Sequence, residues 1–167
     1  MLTPEMLEFV PINITPELLQ QFEVYVTIFQ ASIGQAMFEL DEVENGWGIP
    51  ERVENLKYAE RAFDRVLEAH YNIRECIPMD DSDPGAYYHE KVGKELDYVT
   101  KVIRTGVDRR PYPGPGEPRV IGPVQNAITL LETTKEANRG LIRVSDYHDK
   151  FKWAFKAVRE CSGQPIP

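Results

Sequence analysis

The stretch TPELLQQFEVYVTIFQASIGQAMFELDEVEN, Thr15 to Asn45, decides the fold. Thr15 offers a capping hydroxyl, Pro16 occupies a first-turn position that tolerates a missing N–H, and Glu17 sits at the positive end of the helix dipole. Leu18, Phe22, Tyr25, Phe29, Ala36 and Leu40 then recur on one face, with Leu19, Val26, Ile33 and Met37 beside it. That spacing predicts a helix over about residues 16–44. Asn45-Gly46-Trp47-Gly48 ends it in a tight turn. The fifteen residues from Val24 to Phe38 carry no charge, and Gly34 and Ala36 are small enough to admit a close neighbour. Such a helix is expected to be the central, all-round buried member of a bundle, or else half of an oligomer seam, and the central placement is preferred.

Outward from this helix, the same proline-led start recurs. Thr3-Pro4-Glu5 predicts a short opening helix, and Ile49-Pro50-Glu51, Asp83-Pro84 and Gly122-Pro123 start longer ones, with Ser145-Asp146 as a further start. The second helix, about 50–76, places Leu56, Ala59, Phe63, Val66, His70 and Ile73 on one face. The third, about 84–105, places Tyr88, Val92, Leu96, Val99 and Ile103 there, with Gly106 as its stop. A fourth, about 123–139, uses Val124, Ala127, Ile128 and Leu131 before Gly140. A fifth, about 146–161, uses Tyr147, Phe151, Ala154, Phe155 and Val158. The expected fold is therefore all-α: one domain over residues 1–167, a bundle of four or five main helices with a short N-terminal helix. Helices 1–3 lie within 16–106, a long Pro/Gly/Arg loop spans 107–122, and helices 4 and 5 lie within 123–162. Inside that loop, Val120-Ile121 is the one place for a brief strand.

At 167 residues, with 42% hydrophobic and 28% charged residues, the chain has the composition of an ordinary globular domain. No run approaches the apolar length of a membrane span, and the opening residues lack the basic flank of a signal peptide, so a soluble, cytoplasmic protein is expected. Cys76 and Cys161 have no metal-ligand spacing and read as reduced, structural thiols. The net charge of −8 is unevenly spread: residues 1–100 hold twenty Asp/Glu against seven Lys/Arg, and residues 101–167 hold seven against twelve. The two parts either complement each other inside one fold or dock between molecules. Overall acidity disfavours nucleic acid as a partner.

Two acid pairs invite a metal reading. Glu39 and Glu42 are three apart on the first long helix, and Glu60 and Asp64 four apart on the second, so each pair shares a helix face and the two can meet across the hairpin. A hard cation such as Mg²⁺ takes such an oxygen cluster. The arrangement resembles the all-α nucleoside triphosphate pyrophosphohydrolases of the MazG type, whose ExxE and ExxD helices hold Mg²⁺. The second pair departs from that spacing, and the first lacks the family's acid doublet. Arg65-x₄-His70 likewise resembles the motif of HEPN-type ribonucleases, with Val66 where that motif has a polar residue. The rows Lys57, Arg61, Arg65 and Glu60, Asp64, Glu68 also read as three-apart pairs on a solvated face.

Arg104, Arg109, Arg110 and Arg119 gather around Tyr112 on the stiff Pro-rich segment, a composition suited either to anchoring a protein interface or to pairing with the acidic turn Asp80, Asp81 and Asp83 of the same molecule. A smaller basic face, Lys150, Lys152, Lys156 and Arg159 with Trp153, reads as solvated surface. The expected role is a non-catalytic interaction or assembly module, of the accessory, inhibitor or viral-particle type. It would bind another protein or copies of itself through Arg104, Arg109, Arg110, Tyr112, Arg119 and the broad apolar helix, with no cofactor. The alternative is a Mg²⁺-dependent pyrophosphohydrolase using Glu39, Glu42, Glu60 and Asp64. A second alternative is an acidic mimic of nucleic acid.

Overall fold

The computed structural model describes residues 15–46, 49–76, 84–108 and 121–162, which form four helices: α1 (Pro16–Asn45), α2 (Ile49–Cys76), α3 (Pro84–Asp108) and α4 (Ile121–Ser162). Thr15 caps α1 as its sequence requires: its hydroxyl accepts from the Leu18 N–H at 3.2 Å and its carbonyl from the Leu19 N–H at 2.9 Å. The expected short helix over the first residues lies outside the described residues.

The buried positions fall in alternating steps of three and four. On α1 they are Leu19, Phe22, Val26, Phe29, Ile33, Ala36, Leu40 and Val43. On α2 they include Leu56, Ala59, Phe63, Val66, His70 and Ile73, and on α3 Val92, Leu96, Val99 and Ile103. A 3.5-residue repeat of this kind keeps one seam of each helix facing its partners along its whole length. The helices close into a four-membered ring in which α1 touches α2 and α4, and α3 touches α2 and α4. Neighbours run antiparallel. Gln21 meets Cys76 across α1 and α2, Arg104 meets Glu60 across α3 and α2, Arg143 meets Glu95 across α4 and α3, and Asn138 meets Asp41 across α4 and α1. Because α1 packs most closely on α2 and α3 on α4, the bundle is two hairpins joined along a seam.

The fourth and fifth expected helices are one. α4 runs unbroken for 42 residues through Gly140 and Ser145, and its core positions Leu130, Thr134, Ala137, Leu141, Val144, His148 and Phe151 hold the three–four rhythm across the expected break. Gly140 is buried, and a Cβ there would run into Val99 Cγ2 of α3. It is a point of close helix approach, not a stop. Gly106 behaves alike: α3 continues to Asp108, and a Cβ on Gly106 would meet Leu56 Cδ2 and Thr133 Cγ2, each at 2.8 Å. The expected stripe at the start of the fourth helix is also out of register, since Ile128 is 49% exposed and Leu130 is buried. Ile121, expected as possible strand, is the first residue of α4. Residues 109–120 lie outside the described set. No helix among the described residues is long and apolar enough to cross a membrane.

Candidate functional site

The rhythm that buries one seam of α1 leaves the opposite side bare. Its outward line runs Glu17, Gln20, Val24, Ile28, Ala31, Gly34, Phe38 and Asp41, all exposed. Val24 is 53%, Ile28 41% and Phe38 57% exposed. Nothing lies within 4 Å of where a Gly34 Cβ would stand, so this glycine is not used for packing inside the bundle. α1 is therefore not the all-round buried member that its apolar run suggests. The uncharged stretch from Val24 to Phe38 spans about 20 Å of helix at 1.5 Å per residue, and carboxylates of Glu17 on one side and Asp41 and Glu42 on the other mark its ends.

A second constellation lies inside. All three histidines of the chain meet in one layer, His70 from α2, His89 from α3 and His148 from α4, around Phe29 of α1. His70 and His89 stack with ring centres 3.8 Å apart, and His148 stacks on Phe29 at 3.7 Å. His70 and His148 are 2% and 1% exposed. His89 Nε2 donates to the His70 carbonyl at 2.9 Å; a carbonyl only accepts, which fixes that tautomer. Both ring nitrogens of His148 are buried without a hydrogen-bond partner. A neutral imidazole always carries one N–H, so a donor is left unsatisfied at a cost of about 1–3 kcal/mol.

Burial dominates the protonation of this layer, with the neighbouring cations adding to it. His70 is pushed down to about 2 by loss of water and by His89 and His148. His148 is pushed down to about 3 by loss of water, His89 and Lys152. His89 is lowered by burial and by Arg74, against the opposing hydrogen bond to His70. All three are neutral at pH 7.

The four acids of the metal reading are not gathered. Glu60 and Asp64 point to α3, where Arg104 stands 3.9 Å from each. Glu39 accepts from Gln35 Nε2 at 2.8 Å along its own helix, and Glu42 is exposed. Among the described residues no group of three or more His, Cys, Asp or Glu is placed to hold a metal ion, and this includes the histidine layer, where stacked rings present faces instead of converging nitrogens. Of the three-apart pairs expected on α2, Glu60 and Asp64 face Arg104, while Arg61 lies over the Tyr58 ring at 5.6 Å. Arg65 and His70 do not share a face: Arg65 is exposed and His70 is in the core.

Of the expected interface residues, Arg104 is 56% exposed at its side chain and engaged with Glu60 and Asp64. Arg109, Arg110, Tyr112 and Arg119 lie outside the described residues, as do the side chains of Trp153, Lys156 and Arg159. An open trough of about 580 Å³ between α3 and α4 is lined by Tyr98, Lys101, Thr105, Thr133, Glu136 and Arg139. The Tyr98 hydroxyl donates to Glu136 across it. The histidine layer was missed in the sequence because its members come from three helices; the outward line on α1 was present in the uncharged run, but periodicity alone does not say which side is covered.

No protein-family model matches the chain, and comparison with curated proteins and with solved structures finds no match.

Proposed function

We propose that this chain is a non-catalytic protein-binding module that docks through the outward face of α1. The observation that supports it is the uncharged, exposed line Val24, Ile28, Ala31, Gly34 and Phe38, a contiguous apolar strip of the kind that marks interaction surfaces. Small residues at Ala31 and Gly34 allow a partner backbone to approach closely, and Phe38 supplies an aromatic anchor.

The charges at the ends of the strip favour a foreign partner over a second copy. In a parallel pair Glu17 would face Glu17, and in an antiparallel pair it would face Asp41 and Glu42, which are like charges in either case. The partner that fits is a helix with an apolar stripe and basic residues at both ends. Arg109, Arg110, Tyr112 and Arg119 are proposed as a second contact. Arg104 is assigned to the bundle itself.

The test places a photo-crosslinking phenylalanine at position 38 in the intact protein, and identifies the crosslinked peptide by mass spectrometry. The reading expects a crosslink to a basic, apolar-striped helix of another protein, lost on Ile28→Asp and kept when Arg65 on α2 is changed to Ala. Crosslinks to this chain alone, or a yield indifferent to Ile28→Asp, would overturn it. Arg109→Ala with Arg110→Ala is expected to weaken the same complex without altering helicity by circular dichroism.

A further inference from the structure

The three imidazoles are placed where the two hairpins meet. Across the seam, His70 of α2 stacks on His89 of α3, and Phe29 of α1 stacks on His148 of α4. Phe151 of α4 completes the layer, with its ring edge-on to His89 at 5.9 Å. Among the described residues at this end of the bundle, each close stack joining one hairpin to the other contains a titratable ring. The opposite end is joined differently. There Gly106 lies against Leu56, Asp41 accepts from Asn138, and Arg104 faces Glu60 and Asp64.

We propose that the histidine layer is a proton-operated latch: uptake of protons by His70, His89 and His148 below neutral pH parts the α1–α2 hairpin from the α3–α4 hairpin at this end, while the opposite end stays closed. Among the described residues, only backbone hydrogen bonding between His70 and His89 favours an added charge, and the His70 carbonyl serves one ring nitrogen only. α1 presents the apolar Phe29 to His148, and α2 contributes His70, the Tyr71 ring edge and the cation Arg74. α3 contributes His89, and α4 contributes His148, Phe151 and the cation Lys152. The charged groups acting on the three rings are thus cations, and charging both rings of the His70–His89 stack sets like charges 3.8 Å apart. His148 has no acceptor for either N–H of an imidazolium. Water is the remaining way to satisfy these groups, and water reaches them only if the seam opens.

The direction follows from the proton balance. The rings are held neutral in the closed bundle and return toward the ordinary histidine value of about 6.5 when wetted, so the open form binds more protons as the pH falls below that value. Among the described residues the core of the far end holds no histidine. Below the ordinary histidine value, therefore, the proton uptake that opens the latch has no counterpart in the far end's core.

The experiment uses the full chain and follows two readouts from about pH 7.5 to about pH 4.5: imidazole protonation by NMR, and amide hydrogen exchange at both ends of the seam. The latch predicts that the core amides around Phe29, His70 and His148 exchange at least about tenfold faster, after correction for intrinsic rates, at the pH where the imidazoles take up protons. Amides around Leu40, Leu56 and Ala137 keep their protection. His148→Phe, which preserves the stack on Phe29 without a titratable nitrogen, is expected to move the opening down by about one pH unit. Should that variant fail to fold, the wild-type comparison of imidazole titration against exchange decides the matter alone. The proposal is overturned if the imidazoles titrate without any change in protection. It is overturned equally if both ends lose protection together, or if a folded His148→Phe variant opens at the wild-type pH.

Discussion

Glycine in a helix carries no information about its own purpose until its neighbours are known, and three glycines of this chain make the point. Gly34 is exposed with open space around it, so Gly34→Ala should gain helix propensity alone, stabilising the protein by about 0.5–1 kcal/mol. Gly140 has the same intrinsic propensity to gain, yet its Cβ would collide with Val99. Overpacking at a helix contact costs about 1–3 kcal/mol, which exceeds the gain. Gly140→Ala should therefore destabilise, and Val99→Ala in the same molecule should recover part of the loss; urea titrations of the three variants check both signs. A destabilised Gly34→Ala would show that the outward face of α1 is not open. In the sequence, Gly106 and Gly140 read as stops because each closes an amphipathic run. The same residue serves a C-cap and a close approach, and only the partner across the contact distinguishes them. His70 was placed in the core by its spacing alone, whereas its contact with His89 and the gathering of His148 depend on tertiary packing that no local spacing encodes.

At the scale of elements, the starts of α1, α2 and α3 were readable because proline and a capping residue act locally. Thr15→Ala removes the hydroxyl that accepts from Leu18 and should cost about 1 kcal/mol, with fraying confined to the first turn of α1. α4 was misdivided for a physical reason: Ser145-Asp146 has the chemistry of a helix start, but at that point the backbone N–H groups are already bonded within a helix whose core stripe is continuous from Leu130 to Phe151. Continuity of that stripe outweighs local preference, since most helix stability in proteins comes from the packed face. Amide exchange should accordingly show uninterrupted protection from residue 130 to residue 150. A rapidly exchanging patch over residues 140–146 would restore two helices. The acid pairs illustrate the converse. Spacing places Glu60 and Asp64 on one face of α2, but which neighbour that face meets is set by the order of helices around the ring, and that neighbour is Arg104 of α3. Because Arg104 is more than half exposed and its contacts are long, Arg104→Ala should change stability by less than about 1 kcal/mol.

For the whole molecule, the charge division along the chain falls inside α3, and the two hairpins still differ in charge. Residues 15–76 hold twelve Asp/Glu and five Lys/Arg, while residues 84–108 and 121–162 hold nine and eleven. Within one bundle this sets an acidic hairpin against a weakly basic one, and Arg104 between Glu60 and Asp64 is its contact across the seam. Such exposed pairs are screened by salt, so the seam depends chiefly on its apolar layers and on the histidines among them. That dependence makes stability a function of pH with a definite sign. Above about pH 6.5 the histidines are neutral in both folded and unfolded chains and contribute no slope. Below it the unfolded chain takes up protons that the folded chain refuses, since His148 is held down to about 3 and His70 to about 2. Stability should then fall by about 1.4 kcal/mol per pH unit for each such histidine. For His148 the full span from its ordinary value amounts to about 5 kcal/mol, comparable with the entire stability of a small domain, roughly 5–15 kcal/mol. The carboxylates add their own pH dependence, so the informative quantity is the difference between wild type and His148→Phe. Urea titrations at pH 7.5, 6 and 5 should give curves that converge in slope above neutrality and separate below it, with the variant losing less stability per pH unit. At neutral pH the variant should be as stable as wild type or more so, because it removes an unsatisfied buried donor while keeping a ring on Phe29. Parallel stability profiles for the two proteins between pH 7.5 and 5 would show that His148 is not buried in the seam as described.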